Sequence, residues 1–466
     1  MNRLYRAFCI ISTAATIIVC ILLLSGAYSC ILLLPVSFFL FFVFASTLNT
    51  IWKTRPLTSY ILLSLLWIRL VLLPFYGAIT GYYSSRGASI ELGQHLIGAV
   101  SLSIYDCIAI LFVLIIFSTR SVSSKRPHIY SDLYGSAEIY WVFCLLAFAV
   151  YIFVGRSMDL FDFAIKPIGE DFEREGDLTG GNELIIRQII TSGMMFLFLL
   201  VIAWLKKKDG YTGSNRCFNW SLFCAILLIA IIVGERRTSQ IYKAFASVCV
   251  LFSLYPTEKE RTVKYIGVAT LFVLASMTIY KQFYGFMYGS YAEAIQNASV
   301  EEGFSYGMLD AYFYGVDTIA KNIHYGQMME GGVGQLLYDF FRNVFGLNLV
   351  FPSDRLITSQ LYNSIIYSGD QLTGYLLSSV GYGYIFTGYI LAPFATVFNV
   401  CLMLYFEGVL KKSKFIEWQY VFAYLYMRIA FGVLGSTPPI INLVTRFLVI
   451  NAIIIGFARL FKQKTR

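Results

Sequence analysis

Charge is what this chain has least of. Of 466 residues only 14% are charged, against 58% hydrophobic. A soluble domain carries about 25% charged residues, so there is too little charge here to cover a water-exposed surface. Disorder is excluded from the other side: disordered chains are poor in aromatics, and 17% of these residues are aromatic. No short repeat runs through the chain, which excludes a fibrous or low-complexity protein. No Cys-x-x-Cys pair occurs among Cys9, Cys20, Cys30, Cys107, Cys144, Cys217, Cys224, Cys249 and Cys401, and all lie in or beside apolar runs. They read as small packing residues rather than a metal or disulfide framework. The three histidines, His95, His128 and His324, form no HExxH set, so no metal is expected. The GxxxxGKS/T and GxGxxG elements are also absent. That disfavours ATP-driven transport and a nucleotide-sugar domain, and no cofactor is expected.

What the chain does have is long apolar runs. Crossing ~30 Å of hydrocarbon takes about 20 such residues. Twelve stretches qualify: 7–26, 28–50, 57–78, 96–118, 137–155, 184–204, 218–234, 238–255, 264–284, 384–410, 415–435 and 440–460. The first follows Arg3 and Arg6 but has no small-residue cleavage site, and another run succeeds it at once. It is expected to be a retained helix, not a signal peptide. Twenty-one of the 36 basic residues cluster at alternate junctions, from Arg3/Arg6 and Lys53/Arg55 to Lys411/Lys412/Lys414 and the C-terminal group ending at Arg466. By the positive-inside rule both termini are then cytoplasmic. The net charge of +9 is loop charge, not a nucleic-acid surface. The opposite loops are acidic, above all 156–183.

The expected fold is an all-α polytopic membrane protein of about twelve transmembrane helices in three parts. Residues 1–284 hold nine spans, 285–383 form a large outer loop, and 384–466 hold three spans. In the loop, 333–350 has helical spacing of Leu336, Leu337, Phe340, Phe341, Val344 and Phe345. Segment 371–383 is apolar and glycine-rich, and with 384–410 it is too long for one crossing, which predicts a re-entrant or interfacial helix. A long structured loop is usually functional, so the working face is expected outside.

Charges within spans are functional candidates by default. Arg69 and Asp106 either pair with each other or serve a site. Arg428 and Arg446, on adjacent spans, call for an acidic partner or for an anion such as a phosphate-bearing lipid. Gly234-Glu235-Arg236-Arg237, with Lys243 beyond it, sits where the positive-inside rule disfavours cations. It reads either as a snorkelling interfacial turn or as a site for a lipid pyrophosphate, with Glu235 as orienter or base. In the loop, Glu301, Glu302, Asp310, Asp317, His324, Asp339, Arg342, Asp354, Arg355 and Asp370 are mostly expected to be solvated. Arg342 and Arg355 stand out beside Phe340/Phe341 and Phe351/Pro352. Tyr306, Tyr312, Tyr314 and Tyr325 suit sugar stacking or an interfacial belt equally well.

Taken together, the architecture, the Gly234–Arg237 turn, the stretch Phe351-Pro352-Ser353-Asp354-Arg355 and the run from Ser378 to Tyr384 resemble the Wzy-type oligosaccharide repeat-unit polymerases of O-antigen and capsule synthesis. The R-x10-G spacing of some members is absent after Arg236, where Ser247 takes the glycine's place. The resemblance implies a GT-C-like membrane glycosyltransferase of the bacterial cytoplasmic (inner) membrane. Its substrate would be an undecaprenyl-pyrophosphate-linked oligosaccharide, and its partners membrane lipid, a flippase and a chain-length regulator. It further implies Arg236, Arg237, Arg342, Arg355, Arg428 and Arg446 as pyrophosphate or substrate ligands, and Glu235, His324, Asp354 or Asp310 as the base. The alternatives are a lipid-linked oligosaccharide flippase, which should show two similar halves, and an O-antigen ligase.

Overall fold

In the computed structural model the described residues are 3–80, 94–119, 132–154, 181–212, 215–232, 238–283, 306–329, 332–347, 350–351, 355–366 and 377–464. They contain eighteen α-helices and no strand beyond one antiparallel bridge, Ser378 with Gly435. The first ten are α1 (Arg3–Leu23), α2 (Leu33–Thr47), α3 (Asn49–Thr54), α4 (Pro56–Thr80), α5 (Leu96–Thr119), α6 (Ala137–Phe153), α7 (Gly181–Thr212), α8 (Asn215–Ala230), α9 (Thr238–Leu254) and α10 (Lys259–Phe283). Four short helices follow: α11 (Tyr306–Phe313), α12 (Val316–Met328), α13 (Val333–Asn343) and α14 (Thr358–Ile366). The last four are α15 (Ser379–Leu391), α16 (Phe394–Lys412), α17 (Ile416–Gly432) and α18 (Thr437–Lys464).

Seven helical stretches among the described residues are long and apolar enough to cross a membrane, and α6, α8 and α9 are apolar but shorter. The fold is that of an all-α multi-pass membrane protein. Hydrocarbon offers no hydrogen bonds, so backbone groups must be satisfied within the segment, as helices do. Buried hydroxyls follow the same rule: Thr13 donates to the Cys9 carbonyl at 2.6 Å and Thr16 to Ser12 at 3.0 Å.

The contacts divide the chain into two units. The first comprises 1–125, 299–407 and 429–442, and the second 126–298, 408–428 and 443–466. In the first unit, α4 starts with Pro56 in its first turn, and the Glu407 carboxylate accepts the amides of Leu57 at 3.3 Å and Thr58 at 3.0 Å. A negative group there suits the positive helix end. Midway, α4 makes a π-helical turn over Ile68–Leu72. That turn holds Arg69, whose Nη1 bonds Asp106 Oδ2 at 2.8 Å with both side chains buried. Of the two expectations for these residues, mutual pairing is the one observed.

The short helix α12 is the hub of the first unit. It packs on α5, α15, α14 and α11, and Val316 to Ile323 are buried without interruption. The chain enters it through a strained corner. Tyr314 has a left-handed φ of 55°, a cost of roughly 1–3 kcal/mol that surrounding structure must hold in place. Gly435 lies against it, since a Cβ there would sit 2.3 Å from the Tyr314 hydroxyl.

Of the segment 371–383, expected to be re-entrant or interfacial, residues 371–376 lie outside the described residues. Helix α15 begins at Ser379 behind an Ser378 cap, whose Oγ accepts the Gly381 amide at 2.9 Å. It kinks at Gly388 (φ 64°) and stops at Leu391, and α16 starts only at Phe394. Residues 384–387 therefore continue the α15 limb, and the chain folds back at Gly388 into a hairpin, because Ser379 and Thr396 bond at 2.7 Å and Gly383 lies against the Ala392 carbonyl. Likewise α13 covers only part of 333–350. It ends at Asn343, and the chain turns through Gly346 at φ 94°.

In the second unit α7 packs on α6 and α8, and α8, α9 and α10 pack on one another. Gly193 permits the α6 approach: a Cβ there would lie 2.5 Å from that of Ala147. Glu417, fully buried at the start of α17, accepts the Tyr134 and Gly135 amides at 2.6 and 3.3 Å and the Tyr140 hydroxyl at 3.2 Å.

Candidate functional site

Two polar clusters, one in each unit, carry the side chains with chemistry to offer. In the second unit the cluster is cationic. Arg428, half-buried on α17, donates from Nη1 to the Tyr242 hydroxyl of α9 at 2.8 Å, with its guanidinium 5.5 Å from the ring centre. Its Nε is buried without a hydrogen-bond partner, and it forms no ion pair with any carboxylate among the described residues. Tyr424, one turn earlier on α17, stacks on Phe447 at 4.2 Å and lies within electrostatic reach of both Arg428 and Arg446. The structure thus brings Arg428 and Arg446 to one tyrosine.

Lys243 is not the surface cation that the spacing suggested. It is 3% exposed, and its Nζ donates to the Ile231 carbonyl just past the end of α8 at 2.9 Å. One turn before it, Gln240 is fully buried, and neither its amide nitrogen nor its oxygen has a partner. Glu235, Arg236 and Arg237 lie outside the described residues.

In the first unit the cluster surrounds α12. Asp310 Oδ2 accepts the Thr318 amide at 2.8 Å and its hydroxyl at 2.7 Å, capping the helix, while Oδ1 accepts the Asp317 amide at 3.3 Å. Asp317 pairs with Lys321 at 2.8 Å, both about 95% buried. Burial, and then the neighbouring Asp310 carboxylate, push Asp317 up to about 7 against the pull of Lys321. Asp310 is raised by burial too, opposed by its hydrogen bonds and Lys321. Asp339 on α13, 1% exposed, accepts from Gln335 at 2.9 Å, the Thr358 amide at 3.1 Å and the Tyr382 hydroxyl at 3.1 Å, and burial raises its pKa as well. These three carboxyls were expected in water and are instead among the most buried groups of the unit.

His324, one turn beyond Lys321, is half-buried. Its Nδ1 meets Nε2 of His95, next to α5, at 3.1 Å. Burial lowers the pKa of His95, and proximity to His324 adds to the effect. Arg355 bonds Gln335 Oε1 through Nε at 2.9 Å and covers the Tyr338 ring at 4.8 Å, while the Tyr338 hydroxyl donates to its carbonyl at 2.7 Å. It ties its loop to α13. Arg342 stands in the last turn of α13, where a cation favours the helix end. Asp354 lies outside the described residues.

His95, Gln240 and the Asp317–Lys321 pair are what the sequence reading passed over as site residues. A histidine at a span edge resembles a solvated one, and a glutamine in an apolar helix carries no charge to draw attention. Among the described residues no three His, Cys, Asp or Glu side chains converge as metal ligands. No protein-family model, curated protein or solved structure matches the chain.

Proposed function

We propose that the chain is a membrane glycosyltransferase that polymerises undecaprenyl-pyrophosphate-linked repeat units. It would act on the outer face of the bacterial cytoplasmic membrane, with twelve crossings and both termini inside. The observation that carries this reading is Arg428: a guanidinium in an apolar helix, held by a tyrosine and by no described carboxylate. An intramembrane cation without an acidic partner favours an anionic ligand, and a guanidinium suits phosphate.

In the proposed step an acceptor hydroxyl attacks the anomeric carbon of the donor sugar. The bond to the pyrophosphate breaks, undecaprenyl pyrophosphate leaves, and the hydroxyl proton passes to a base. The leaving charge is stabilised by Arg428 and Arg446, with Arg236 and Arg237 in the same role. Glu235, beside Arg236 in the chain, has the chemistry for that proton. No nucleotide is consumed. A flippase supplies the donor from the inner leaflet, and a chain-length regulator is a further partner.

Replacing Arg428 with Ala in the native host tests the reading. Losing one such stabilising group costs about 100–1,000-fold in rate, so long polymer should vanish while single repeat units stay displayed outside. Units accumulating on the inner leaflet would point to a flippase. Full-length polymer left on its lipid carrier would point to a ligase.

A further inference from the structure

The polar face of α9 is built for more than Arg428 alone. Gln240, Lys243 and Ser247 stand at i, i+3 and i+7, on one side of the helix, and all three are buried. Lys243 has one described bond, to a carbonyl, and like Arg428 it has no described carboxylate. The second unit's described ion-paired carboxylates, Asp209 and Glu258, bond Lys206 and Arg261, and Glu417 holds the Tyr134–Gly135 turn. Tyr242, whose hydroxyl receives Arg428, is the residue beside Lys243 on the same turn. Gln240 adds a buried donor and a buried acceptor with nothing to bond. A cation costs free energy away from water unless it is paired, and so does an unmet amide. A helix face that carries both is completed by something that brings charge and hydrogen bonds together.

We propose that Gln240 and Lys243, together with Arg428, form the seat of a lipid pyrophosphate bearing a sugar. The assignment rests on the polymerase reading and names further residues of its ligand site. Charge selects the class. A phosphodiester carries about one negative charge and a pyrophosphate diester about two, and two described cations await neutralisation. The Gln240 amide selects the sugar end. Its nitrogen donates to a phosphate oxygen, and its oxygen accepts from a hydroxyl or amide N–H of the first sugar. A phosphatidylcholine head group carries no such donor, and a phosphatidylglycerol head group offers hydroxyls with only about one negative charge. The apolar flanks of α9 suit the prenyl chain.

The competing role for Lys243 is structural, as a clamp on the carbonyl end of α8. Ligand binding and unliganded stability separate the two. The full-length protein is placed in phosphatidylcholine nanodiscs and titrated with undecaprenyl pyrophosphate, with inorganic pyrophosphate, or with phosphatidylglycerol added to the disc. Undecaprenyl pyrophosphate should raise the unfolding temperature saturably, inorganic pyrophosphate more weakly, and phosphatidylglycerol not at all. Lys243→Met and Gln240→Leu should each weaken undecaprenyl pyrophosphate binding at least tenfold. Without ligand, both variants should unfold at the same temperature as wild type or higher, because Gln240→Leu removes a buried amide with no partner and Lys243→Met a buried cation whose one described bond is to a carbonyl. Lys243→Met unfolding earlier while binding as wild type would overturn the proposal and leave a clamp. Equal protection by phosphatidylglycerol would overturn the pyrophosphate assignment. Binding as expected, in a host where Arg428→Ala still makes long polymer, would sink the polymerase reading and leave this site standing.

Discussion

His95 and His324 meet through one ring nitrogen each. The chain has only three histidines, so nitrogen-15 NMR of the labelled protein can resolve them. His95→Ala should move the His324 Nδ1 signal, and His95→Gln, whose amide reaches where Nε2 was, should restore most of it. Asp317 makes a prediction of a different kind. Its folded-state pKa lies above the usual carboxyl value, so the folded protein binds more protons than the unfolded one. The stability this confers is fully present below about pH 4 and is lost as pH rises to about 7. Thermal unfolding should therefore move to lower temperature from pH 5 to pH 7 and level off above. One such carboxyl gives a slope of about 1.4 kcal/mol per pH unit, and Asp317→Asn should flatten it.

Among the elements, the α15–α16 hairpin shows where sequence reading succeeds and where it stops. Apolar runs were legible because hydrocarbon imposes one requirement, helix, and a helix lies under each of the twelve stretches. The break at 388–393 was not legible. No polar residue interrupts the run there, and Gly388 and Pro393 are common enough in membrane helices to pass without remark. What places the break is contact: the Gly383 backbone against the Ala392 carbonyl, and Ser379 against Thr396. Gly383→Ala would put a Cβ 1.9 Å from that carbonyl oxygen, and backbone cannot yield as a side chain does. A loss of about 3 kcal/mol is expected, the upper end of ordinary over-packing, read as an earlier unfolding transition of the purified protein. The loop carboxyls were misread for a related reason. Asp310, Asp317 and Asp339 look solvated in a Tyr- and Gly-rich segment; the first two are buried where α12 docks on α5, about 200 residues earlier, and Asp339 where Thr358 and Tyr382 close over it. Local pattern carries no trace of such a contact. The cationic cluster was half legible. Arg428 and Arg446 announce themselves by charge, whereas Gln240 emerges only once its burial is known.

At the scale of the whole molecule, the basic clusters make a sharp forecast of sidedness. After its nine native cysteines have been replaced, a cysteine introduced at Gly169 should react with a membrane-impermeant maleimide on intact cells. One introduced at Lys412 should react only after permeabilisation. The reverse pattern would overturn the assigned parity.

The interleaving of the two units has a consequence for how the protein is made. The first unit is closed by residues 429–442, although its opening stretch ends at residue 125. At about 5–20 residues per second of synthesis, α1 to α5 wait roughly 15–60 s for the Ser378–Gly435 bridge that completes their unit. Arg69 and Asp106, which pair in the finished fold, both precede residue 125, so that bond needs nothing made during the interval. An early ion pair of this kind gives the nascent helices a reason to stay in register before the rest of the chain arrives.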